Sequence, residues 1–355
     1  MKKLISLFQK RSMTFRWKQK LSVAFKPAFL GLFAIALSLT FLTNACGFGL
    51  NQPLKPLQVG ITSWAGFNVV LYAELSGIFK KRGLNVKLVQ FENQQDSSRA
   101  VMRGGLDAAF VSVWDVMQAD QGNGKPVVLL TTNISAGADG IVAQSEIKSV
   151  KNLRGKKVGA KLGTVNHLIL LEALKANQVN PSDVTILDYS NEVAAEKIKE
   201  GEIDAAVLWE PILGETANKT KGNVVHTTKQ VDSLVIDTLM SNTRIVNKKN
   251  AELKQFMLAW FDVMHAVETQ PKKVFQEVGG KLGQSEENFA SDYSGLKKGD
   301  ISLNQRMFAP QGRLQSAKSE IVQLLKEDPR HGRVIREDVE IDSKLINEVI
   351  GGWKP

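Results

Sequence analysis

From residue 57 onward, short apolar segments alternate with amphipathic segments of helical periodicity, and this alternation constrains the fold more than any other feature. Strand patterns occupy residues 58–62, 86–91, 108–112 and 127–131. Helical patterns lie between them at 69–81, ending at Gly83, and at 98–103. Strands that alternate with helices imply parallel-rich sheets with helices on their faces. The sequence therefore predicts an α/β fold.

The alternation restarts after Asp139, which indicates a second structural unit. Residues 103–110 (RGGLDAAF) and 200–207 (EGEIDAAV) echo each other, and a tryptophan follows each segment. An apolar strand at 234–239 would return the chain to the first unit, and helical patterns follow it at 253–267, 272–278, 284–296, 314–326 and 343–350. We predict lobe 1 over 57–137 plus 238–325, lobe 2 over 138–237, and a C-terminal helical extension over 326–355 packing on lobe 1.

The N-terminal residues have the order of a secretory signal: a basic stretch to Lys26, an apolar run over 28–42, and Ala45 before Cys46. The run is shorter than the ~20 apolar residues that a spanning helix needs. We therefore expect a signal peptide over 1–45, and a lipid-anchor cysteine and linker over 46–56. Cys46 resembles the acylated cysteine of a bacterial lipoprotein box, although Thr43 stands where Leu is usual. A secreted protein or an uncut anchor are the alternatives.

The charge of the chain belongs mainly to this N-terminal segment. The net charge is +10, and residues 1–45 contain eight cations and no acid, which leaves +2 (10 minus 8) for the rest. A charge of +2 gives no dense basic field for a phosphate backbone, so we expect no nucleic-acid partner. Cys46 is the only cysteine, which excludes an intramolecular disulfide and a multi-cysteine metal site.

Six segments carry a resemblance to a known family. They are residues 59–64 (VGITSW), 77–86 (GIFKKRGLNV), 104–110 (GGLDAAF), 137–142 (GADGIV), 153–159 (LRGKKVG) and 208–211 (LWEP). In this order and spacing the chain resembles the periplasmic binding proteins of the nitrate/sulfonate/taurine importers, a group related to the NMT1/THI5-like proteins. The resemblance implies a type II two-lobe fold with two crossovers, a small-molecule ligand in the cleft, and docking onto ABC permease and ATPase subunits outside the cytoplasm.

The candidate ligand-binding residues follow predicted strands, because ligands of open α/β sheets bind beyond the carboxyl ends of strands. In the first half they are Ser63, Trp64, Glu92, Ser112, Trp114 and Asp115. In the second half they are Asp139, Thr164, Asn166, Trp209, Glu210 and Asp237. Thr164 also fits a helix N-cap, and its helix start fits an anion site. The crossovers are expected near residues 135–139 and 234–238.

Carboxylates dominate these segments, and neither Lys nor Arg occurs in them. Carboxylates interleaved with aromatic rings suit a cation, because the rings attract positive charge and the acids pair with N–H groups. The sequence therefore favours a cationic or zwitterionic ligand that is guanidinium-, amine- or taurine-like. Nitrate, an alkanesulfonate or a thiamine pyrimidine is the alternative, with an anion at the Thr164 helix start.

An enzyme and a sensory module are the two alternatives to a transport subunit. The pyrimidine-synthase branch of the resembling family uses iron and a cysteine-rich segment, which this chain lacks. The four histidines of this chain are scattered, without the spacing of metal ligands, and the chain contains no Gly-x-Ser-x-Gly motif. We therefore expect no catalytic residues, no metal and no cofactor. A sensory module that binds the same ligand remains open on the sequence alone.

Overall fold

The structure is a computed structural model that describes residues 55–122, 124–231, 233–328, 330 and 332–355. The predicted signal peptide and the predicted lipidation at Cys46 lie outside the described residues. Residues Leu54–Pro355 form one compact unit. This unit contains both sheets and both apolar cores described below, so we expect it to fold without the preceding residues.

The first sheet has seven strands and mixed strand directions. Its strands are β1 (Lys55–Ile61), β2 (Leu84–Gln90), β3 (Ala108–Ser112), β4 (Pro126–Ser135), β10 (Ile236–Asn242), β11 (Leu296–Lys298) and β12 (Glu340–Ile341). The strand order is β11-β4-β10-β3-β1-β2, and β12 also pairs with β4. The β2-β1-β3 group is parallel, whereas β10 runs antiparallel to both of its neighbours.

The second sheet has five strands in the order β7-β6-β8-β5-β9. Its strands are β5 (Asp139–Ala143), β6 (Lys157–Gly159), β7 (Thr185–Leu187), β8 (Ala205–Trp209) and β9 (Asn223–Thr227). The β7-β6-β8 group is parallel, and β5 pairs antiparallel with β8 and β9. Each sheet thus contains a parallel trio whose carboxyl ends lead into helices.

Helices connect and cover the strands. Those up to β10 are α1 (Ala65–Asn68), α2 (Leu71–Leu75), α3 (Ile78–Lys81), α4 (Gln94–Arg103), α5 (Val113–Val116), α6 (Val165–Ala176), α7 (Asn191–Lys199) and α8 (Ile212–Thr220). Those after β10 are α9 (Thr243–Lys248), α10 (Asn250–Thr269), α11 (Pro271–Leu282), α12 (Glu286–Ser294), α13 (Ile301–Met307), α14 (Arg313–Glu327) and α15 (Ser343–Gly352). Among the described helices, none combines the length and apolarity needed to cross a membrane.

The chain passes from the first sheet to the second between β4 and β5 and returns between β9 and β10. The two connections lie side by side: Ser135 N donates to Val235 O at 3.0 Å, and the hydroxyls of Ser135 and Thr228 are 2.7 Å apart. The Thr228 hydroxyl also accepts from Gly137 N at 2.9 Å. This adjacency ties the two strand connections into one narrow junction between the sheets.

The helix predicted over 69–81 is instead two short helices, α2 and α3. Gly77 interrupts it with φ +76°, in the left-handed region that glycine adopts without steric cost. Several elements were not predicted, because their segments are short or carry mixed polarity: strands β5, β9, β11 and β12 and helices α1, α5, α8, α9 and α13. The remaining predicted elements are present with ends shifted by a few residues. The lobe boundaries stay a prediction.

Apolar packing concentrates on one large core beneath the first sheet that continues under part of the second. Phe67, Phe110, Phe256 and Trp260 are fully buried there, and the rings of Phe110 and Trp260 lie 5.5 Å apart. A smaller cluster lies between the second sheet and helix α7, around Val142, Ala194, Ile198, Ala206 and Leu208. The cores fix the strand ends that carry the polar residues described next.

Candidate functional site

Three polar side chains lie side by side across the middle of the first sheet. Asp237 on β10 pairs in register with Ser112 on β3 and with Asn133 on β4. Residues directly opposite on neighbouring strands point to the same face of a sheet. All three are buried, with Asp237 only 2% exposed. The Ser112 hydroxyl donates to Asp115 Oδ2 at 2.6 Å. The carboxylate of Asp115 therefore lies next to this row of three side chains, as a second carboxylate beside Asp237.

A third carboxylate comes from the first residue of the second sheet. Asp139 begins β5 immediately after the sheet-to-sheet connection and pairs in register with Trp209 at the end of β8. It is 4% exposed. The Ser135 side chain hydrogen-bonds to it and Glu210 adds a repelling charge. The strand connections therefore place Asp139 next to the carboxylate row of the first sheet.

The pKa values of these three carboxyls are raised, mainly by burial. Burial is the main cause of the raised pKa of Asp237, and the charges of Asp139 and Asp115 raise it further, so that it stands well above 3.8. Burial also raises the pKa of Asp139 to about 7 and that of Asp115 to about 6. The effect of Asp139 and Asp115 on Asp237 indicates that the three acids lie close enough to interact. At neutral pH such a cluster holds its charge only if something positive joins it.

An indole ring and an amide line this cluster from the first sheet. Trp64 Nε1 donates to Asn133 Oδ1 at 3.3 Å, and both side chains also hydrogen-bond to Asp237 and lower its pKa. Gly66 makes this approach possible: a Cβ there would lie 2.4 Å from Asn133 Nδ2 and 2.8 Å from Trp64 Nε1. A side chain at residue 66 would therefore displace the groups that contact Asp237.

The second sheet contributes two buried amides from the first turns of its helices. Asn191 Oδ1 accepts from Trp209 N at 3.1 Å, which fixes the orientation of the amide and leaves Nδ2 as a donor. Asn166 Nδ2 donates to Val207 O at 2.6 Å, which leaves Oδ1 as an acceptor. Both side chains are 1% exposed. Helices α6 and α7 thus each direct an amide to the carboxyl ends of the parallel strands.

Several buried polar atoms around these groups have no hydrogen-bond partner among the described residues. They are Asp139 Oδ2, Asp237 Oδ2, Trp114 Nε1, Asn68 Oδ1, Gln118 Oε1, Asn166 Oδ1 and Asn191 Nδ2. A buried polar group without a partner costs about 1–3 kcal/mol, and such groups are few in folded proteins. Their concentration at the strand ends of both sheets therefore indicates a site for a polar ligand.

The two sides of the site touch each other in this structure. The rings of Trp114 and His167 meet edge to face with centroids 6.2 Å apart. Gln95 Nε2 donates to Gly163 O at 2.7 Å, and Gln118 Nε2 reaches the same oxygen at 3.4 Å. Gln95 and Trp114 lie on helices of the first sheet, Gln118 lies in the turn after α5, and Gly163 and His167 lie just before and in the first turn of α6. These contacts close the cleft.

Four of the predicted site residues are either exposed or hydrogen-bonded to the backbone of their own helix start. Ser63 and Glu92 are exposed. The Thr164 hydroxyl accepts from Asn166 N and donates to Lys161 O at 2.7 Å, so it caps its own helix. Glu210 Oε2 accepts from Gly214 N at 2.9 Å at the start of α8. Their role as ligand contacts stays a prediction.

The C-terminal segment brings in groups that the sequence analysis missed. Arg333 donates to Gln95 Oε1 at 2.8 Å, and its charge lowers the pKa of Asp115. His167, fully buried, has Nε2 3.3 Å from Asp328 Oδ2. The predicted site segments contain no Lys or Arg, but Arg333 approaches the acids from more than 200 residues away in the chain. No local signal reveals this approach.

Asn133 and Asn191 were also missed, although a signal for them exists. Asn133 interrupts an apolar strand, as Asp237 does, and Asn191 directly follows Ser190, an N-cap residue. The charge of Asp237 within an apolar strand indicates a candidate site residue. The neutral amide of Asn133 indicates the same, because a buried amide in an apolar strand also needs a hydrogen-bond partner.

The family is decided by a comparison with protein-family models. The model described as NMT1/THI5 like matches residues 64–273, more than half of the chain. The chain belongs to the NMT1/THI5-like family. The family resemblance predicted from the sequence is thereby confirmed.

Curated relatives of this NMT1/THI5-like protein are named as binding proteins. A candidate binding protein of Brucella abortus (strain 2308) is 28% identical over 54% of this chain and 58% of its own length. A candidate aliphatic sulfonates-binding protein of Bacillus subtilis (strain 168) is 25% identical over 63% of this chain and 70% of its own. The taurine-binding periplasmic protein of Escherichia coli (strain K12) is 23% identical over 62% of this chain and 68% of its own length. The match to the first of these thus spans little more than half of that protein.

Solved structures confirm the fold of the NMT1/THI5-like protein. The periplasmic aliphatic sulphonate binding protein SsuA from Escherichia coli matches with a TM-score of 0.66 and 16% identity, over 79% of this chain and 95% of that one. The desulfurization enzyme DSZB matches with a TM-score of 0.58 and 15% identity, over 84% of this chain and 99% of that one. The predicted two-lobe periplasmic-binding-protein-like α/β fold is confirmed. The same fold also occurs in an enzyme.

Proposed function

We propose that this chain is the extracytoplasmic solute-binding subunit of an ABC importer and that it binds a small taurine-like amino sulfonate between its two sheets. The observation that carries the proposal is the concentration of buried, unpartnered polar atoms at the strand ends of both sheets. The names of the relatives support a binding protein for a small sulfonate. Permease and ATPase subunits are the partners that such a protein requires.

The comparisons do not support the cationic members of the cationic or zwitterionic class that the sequence favoured. They fit the alternative, an alkanesulfonate, better, and taurine, a zwitterion of the favoured class, is named in one relative. The buried carboxylates nevertheless have to be accommodated, because a simple alkanesulfonate would add negative charge beside Asp139 and Asp237. A molecule with an ammonium group at one end and a sulfonate at the other satisfies both constraints, and we therefore propose a zwitterion.

The ammonium end fits the carboxylate cluster. Asp139 Oδ2 and Asp237 Oδ2 are buried acceptors without a partner in the described part of the chain. An ammonium group has three N–H donors and a positive charge, and charge-assisted hydrogen bonds are about twice as strong as neutral ones. Binding would also favour ionised carboxyls and thereby reverse the raised pKa of both acids.

The sulfonate end fits the donors that lie around the cluster. Trp114 Nε1 and Asn191 Nδ2 are buried N–H groups without a partner in the described part of the chain. Two neutral donors can hydrogen-bond to sulfonate oxygens without bringing a second cation next to the ammonium site. The side chain of Arg333 adds positive charge near Asp115 at the same side of the cleft.

A metal ion is the other cation that three carboxylates suggest. Within the described residues, no group of three or more His, Cys, Asp and Glu side chains has the arrangement of a metal site. The two tryptophans beside the acids also match an organic cation better, because aromatic faces attract ammonium groups. We therefore assign the carboxylates to the amine of the ligand.

If the protein is a transport subunit, it captures its ligand when the two sheets close around the ligand. A ligand that contacts groups on both sheets stabilises the closed form by its differential affinity for that form. Asp237 and Trp114 lie on the first sheet's side, and Asp139 and Asn191 on the second sheet's side. We further propose that Cys46 is acylated and holds the protein at the outer face of a membrane. A sensory module would bind the same way, and co-purification with a permease and an ATPase would favour transport.

A thermal-shift panel on residues 54–355 tests the proposed function. The panel contains taurine, ethanesulfonate, guanidinium, a choline-type amine, nitrate and a thiamine pyrimidine. A ligand at 100 times its Kd stabilises the native state by about 2.7 kcal/mol, a shift of several degrees. We expect the largest shift with taurine, and its loss in Asp139→Asn.

The control is Asp183→Asn, which removes an exposed carboxylate before the amino end of β7, opposite the carboxyl ends that carry the site, and should keep the full shift. A shift with ethanesulfonate alone would leave a sulfonate-binding protein but refute the amine. A shift with guanidinium or choline and none with taurine would refute the sulfonate. No shift with any compound would refute the proposed ligand classes altogether.

A further inference from the structure

A second polar cavity lies at the opposite end of the first sheet's parallel strands. Its volume is 380 Å³, and its lining includes Gln58, Asp107, Arg103, Arg244, Lys248 and Lys249. Gln58 is the middle residue of β1, and Asp107 directly precedes β3. The candidate ligand site follows the carboxyl ends of these same strands. The basic cavity therefore faces away from the cleft.

Positive charge dominates the lining of this basic cavity. Four cations face one acid, and that acid is already neutralised, because Lys249 Nζ lies 2.8 Å from Asp107 Oδ1. Arg103, Arg244 and Lys248 are exposed, and within the described residues none of them forms an ion pair. Three uncompensated cations around one concave surface attract an anion.

Helix capping accounts for only part of this charge. Arg103 and Lys248 lie in the last turns of α4 and α9, where a cation is favourable next to the helix carbonyls. Arg244 lies in the first turn of α9, where the helix dipole disfavours a positive charge. Its presence there is not explained by the helix and is consistent with an external anionic partner.

The cavity also lies where the chain enters from its N-terminal segment. Lys249 Nζ donates to Pro56 O at 3.2 Å, and Pro56 is the second residue of β1. Cys46 precedes Lys55 by nine residues (55 minus 46). Nine residues span at most about 30 Å when fully extended. A chain anchored at Cys46 therefore keeps the basic cavity close to the membrane surface.

We infer that the basic cavity binds the anionic phosphate headgroups of the membrane that carries the protein. The choice of a membrane rests on the proposed acylation of Cys46, whereas the attraction to phosphate rests on the cavity alone. Because the cavity and the cleft lie at opposite ends of the strands, contact through the cavity leaves the cleft facing the solution. This orientation suits capture of a dilute solute.

Vesicle co-sedimentation tests the inference with residues 54–355, which lack Cys46 and so bind only through their own surface. The vesicles contain either phosphatidylcholine alone or phosphatidylcholine with phosphatidylglycerol. Each surface cation near an anionic membrane contributes about fivefold to partitioning. We expect binding to the anionic vesicles at low salt, and a roughly 25-fold loss in Arg244→Gln/Lys248→Gln. Binding should also weaken as salt rises.

The matched control is Lys272→Gln/Lys273→Gln, which removes the same charge at exposed positions of α11. These residues follow α10, whose 20 residues begin beside Lys249 and extend about 30 Å. The control should bind vesicles as the unmodified protein does. Equal loss in both double variants would refute the cavity, because net charge would then be the cause.

Inorganic phosphate and pyrophosphate separate the two sources of a phosphate group. Thermal stabilisation by either compound, with no binding to anionic vesicles, would overturn the membrane assignment in favour of a free phosphate ligand. The absence of both effects would overturn the anion site itself. Taurine binding by Arg244→Gln/Lys248→Gln should remain unchanged, so failure here is distinguishable from failure of the proposed solute site.

Discussion

Asp139→Asn is expected to make the ligand-free protein more stable while abolishing its affinity for taurine. Burial raises the pKa of this carboxyl from 3.8 to about 7. A difference of that size corresponds to about 4 kcal/mol of destabilisation once the pH is above both values. The amide of Asn remains buried and partly unpaired, which costs about 1–3 kcal/mol. We therefore expect a net stabilisation of about 1–3 kcal/mol at pH 8.

The sign of the pH dependence follows from proton binding. Between pH 4 and pH 7 the folded protein keeps the proton on Asp139 while the unfolded chain releases it, so the free energy of unfolding falls as the pH rises. The stabilising contribution of protonated Asp139 is thus full below about pH 4 and lost as the pH rises through 7. Asp237 and Asp115 act in the same direction. The variant should show a shallower decline.

Urea unfolding of residues 54–355 at pH 5 and at pH 8 measures this effect without ligand. The unmodified protein should lose stability between the two pH values, and Asp139→Asn should lose less. Asp183→Asn, which alters an exposed carboxylate, should behave like the unmodified protein. A variant that is less stable than the unmodified protein at pH 8 would refute the account, because Asp139 would then have a stabilising partner in the ligand-free state.

Four further predictions follow from individual contacts. Gly66→Ala should destabilise the protein by about 1–3 kcal/mol and weaken taurine binding in calorimetry, because the new Cβ would lie 2.4 Å from Asn133 Nδ2; unchanged values would contradict the close approach. Trp114→Phe should destabilise the protein by about 1–3 kcal/mol in urea, because the buried ring loses packing, and should lower taurine affinity about tenfold, because the indole N–H has no protein partner in the described chain; equal affinity would exclude its donation to the ligand. Asp328→Asn should destabilise the protein at pH 7, with a difference that shrinks as the pH falls from about 4 towards 2: burial opposes ionisation, but hydrogen bonds from Arg330 lower the pKa of Asp328 to about 2. Cys46→Ser should release the full chain from membranes in cell fractionation, and retention would contradict acylation.

Much of the fold follows from the sequence because strand and helix periodicities are local signals. Strand β3 and helix α14 have nearly the bounds that their apolar patterns predict. The series of short helices over 65–81 does not follow, because the same apolar spacing continues across Gly77 and only the backbone geometry shows its left-handed conformation. Strand β9 has few strongly apolar residues and no alternating burial, so its pairing with β5 determines it.

The candidate site was predictable where a charge interrupts an apolar strand or follows its end. Asp237 and Asp139 are such positions, and the structure places both in one cluster with Asp115. Arg333 was not predictable, because its approach to Asp115 depends on the path of the C-terminal segment. The sequence favoured a cationic or zwitterionic ligand, whereas the names of the relatives fit its alkanesulfonate alternative better. Counting acids in the loops ignored the neutral N–H donors of Trp114 and Asn191, which favour an anionic group at the same site.

The most direct test of the central claim is a crystal structure of residues 54–355 with bound taurine. We predict the amine within hydrogen-bonding distance of Asp139 and Asp237, and the sulfonate oxygens against Trp114 Nε1 and Asn191 Nδ2. Such a complex would explain why these buried atoms lack protein partners. A taurine molecule with its sulfonate against the carboxylates, or bound outside the junction of the two sheets, would contradict the account.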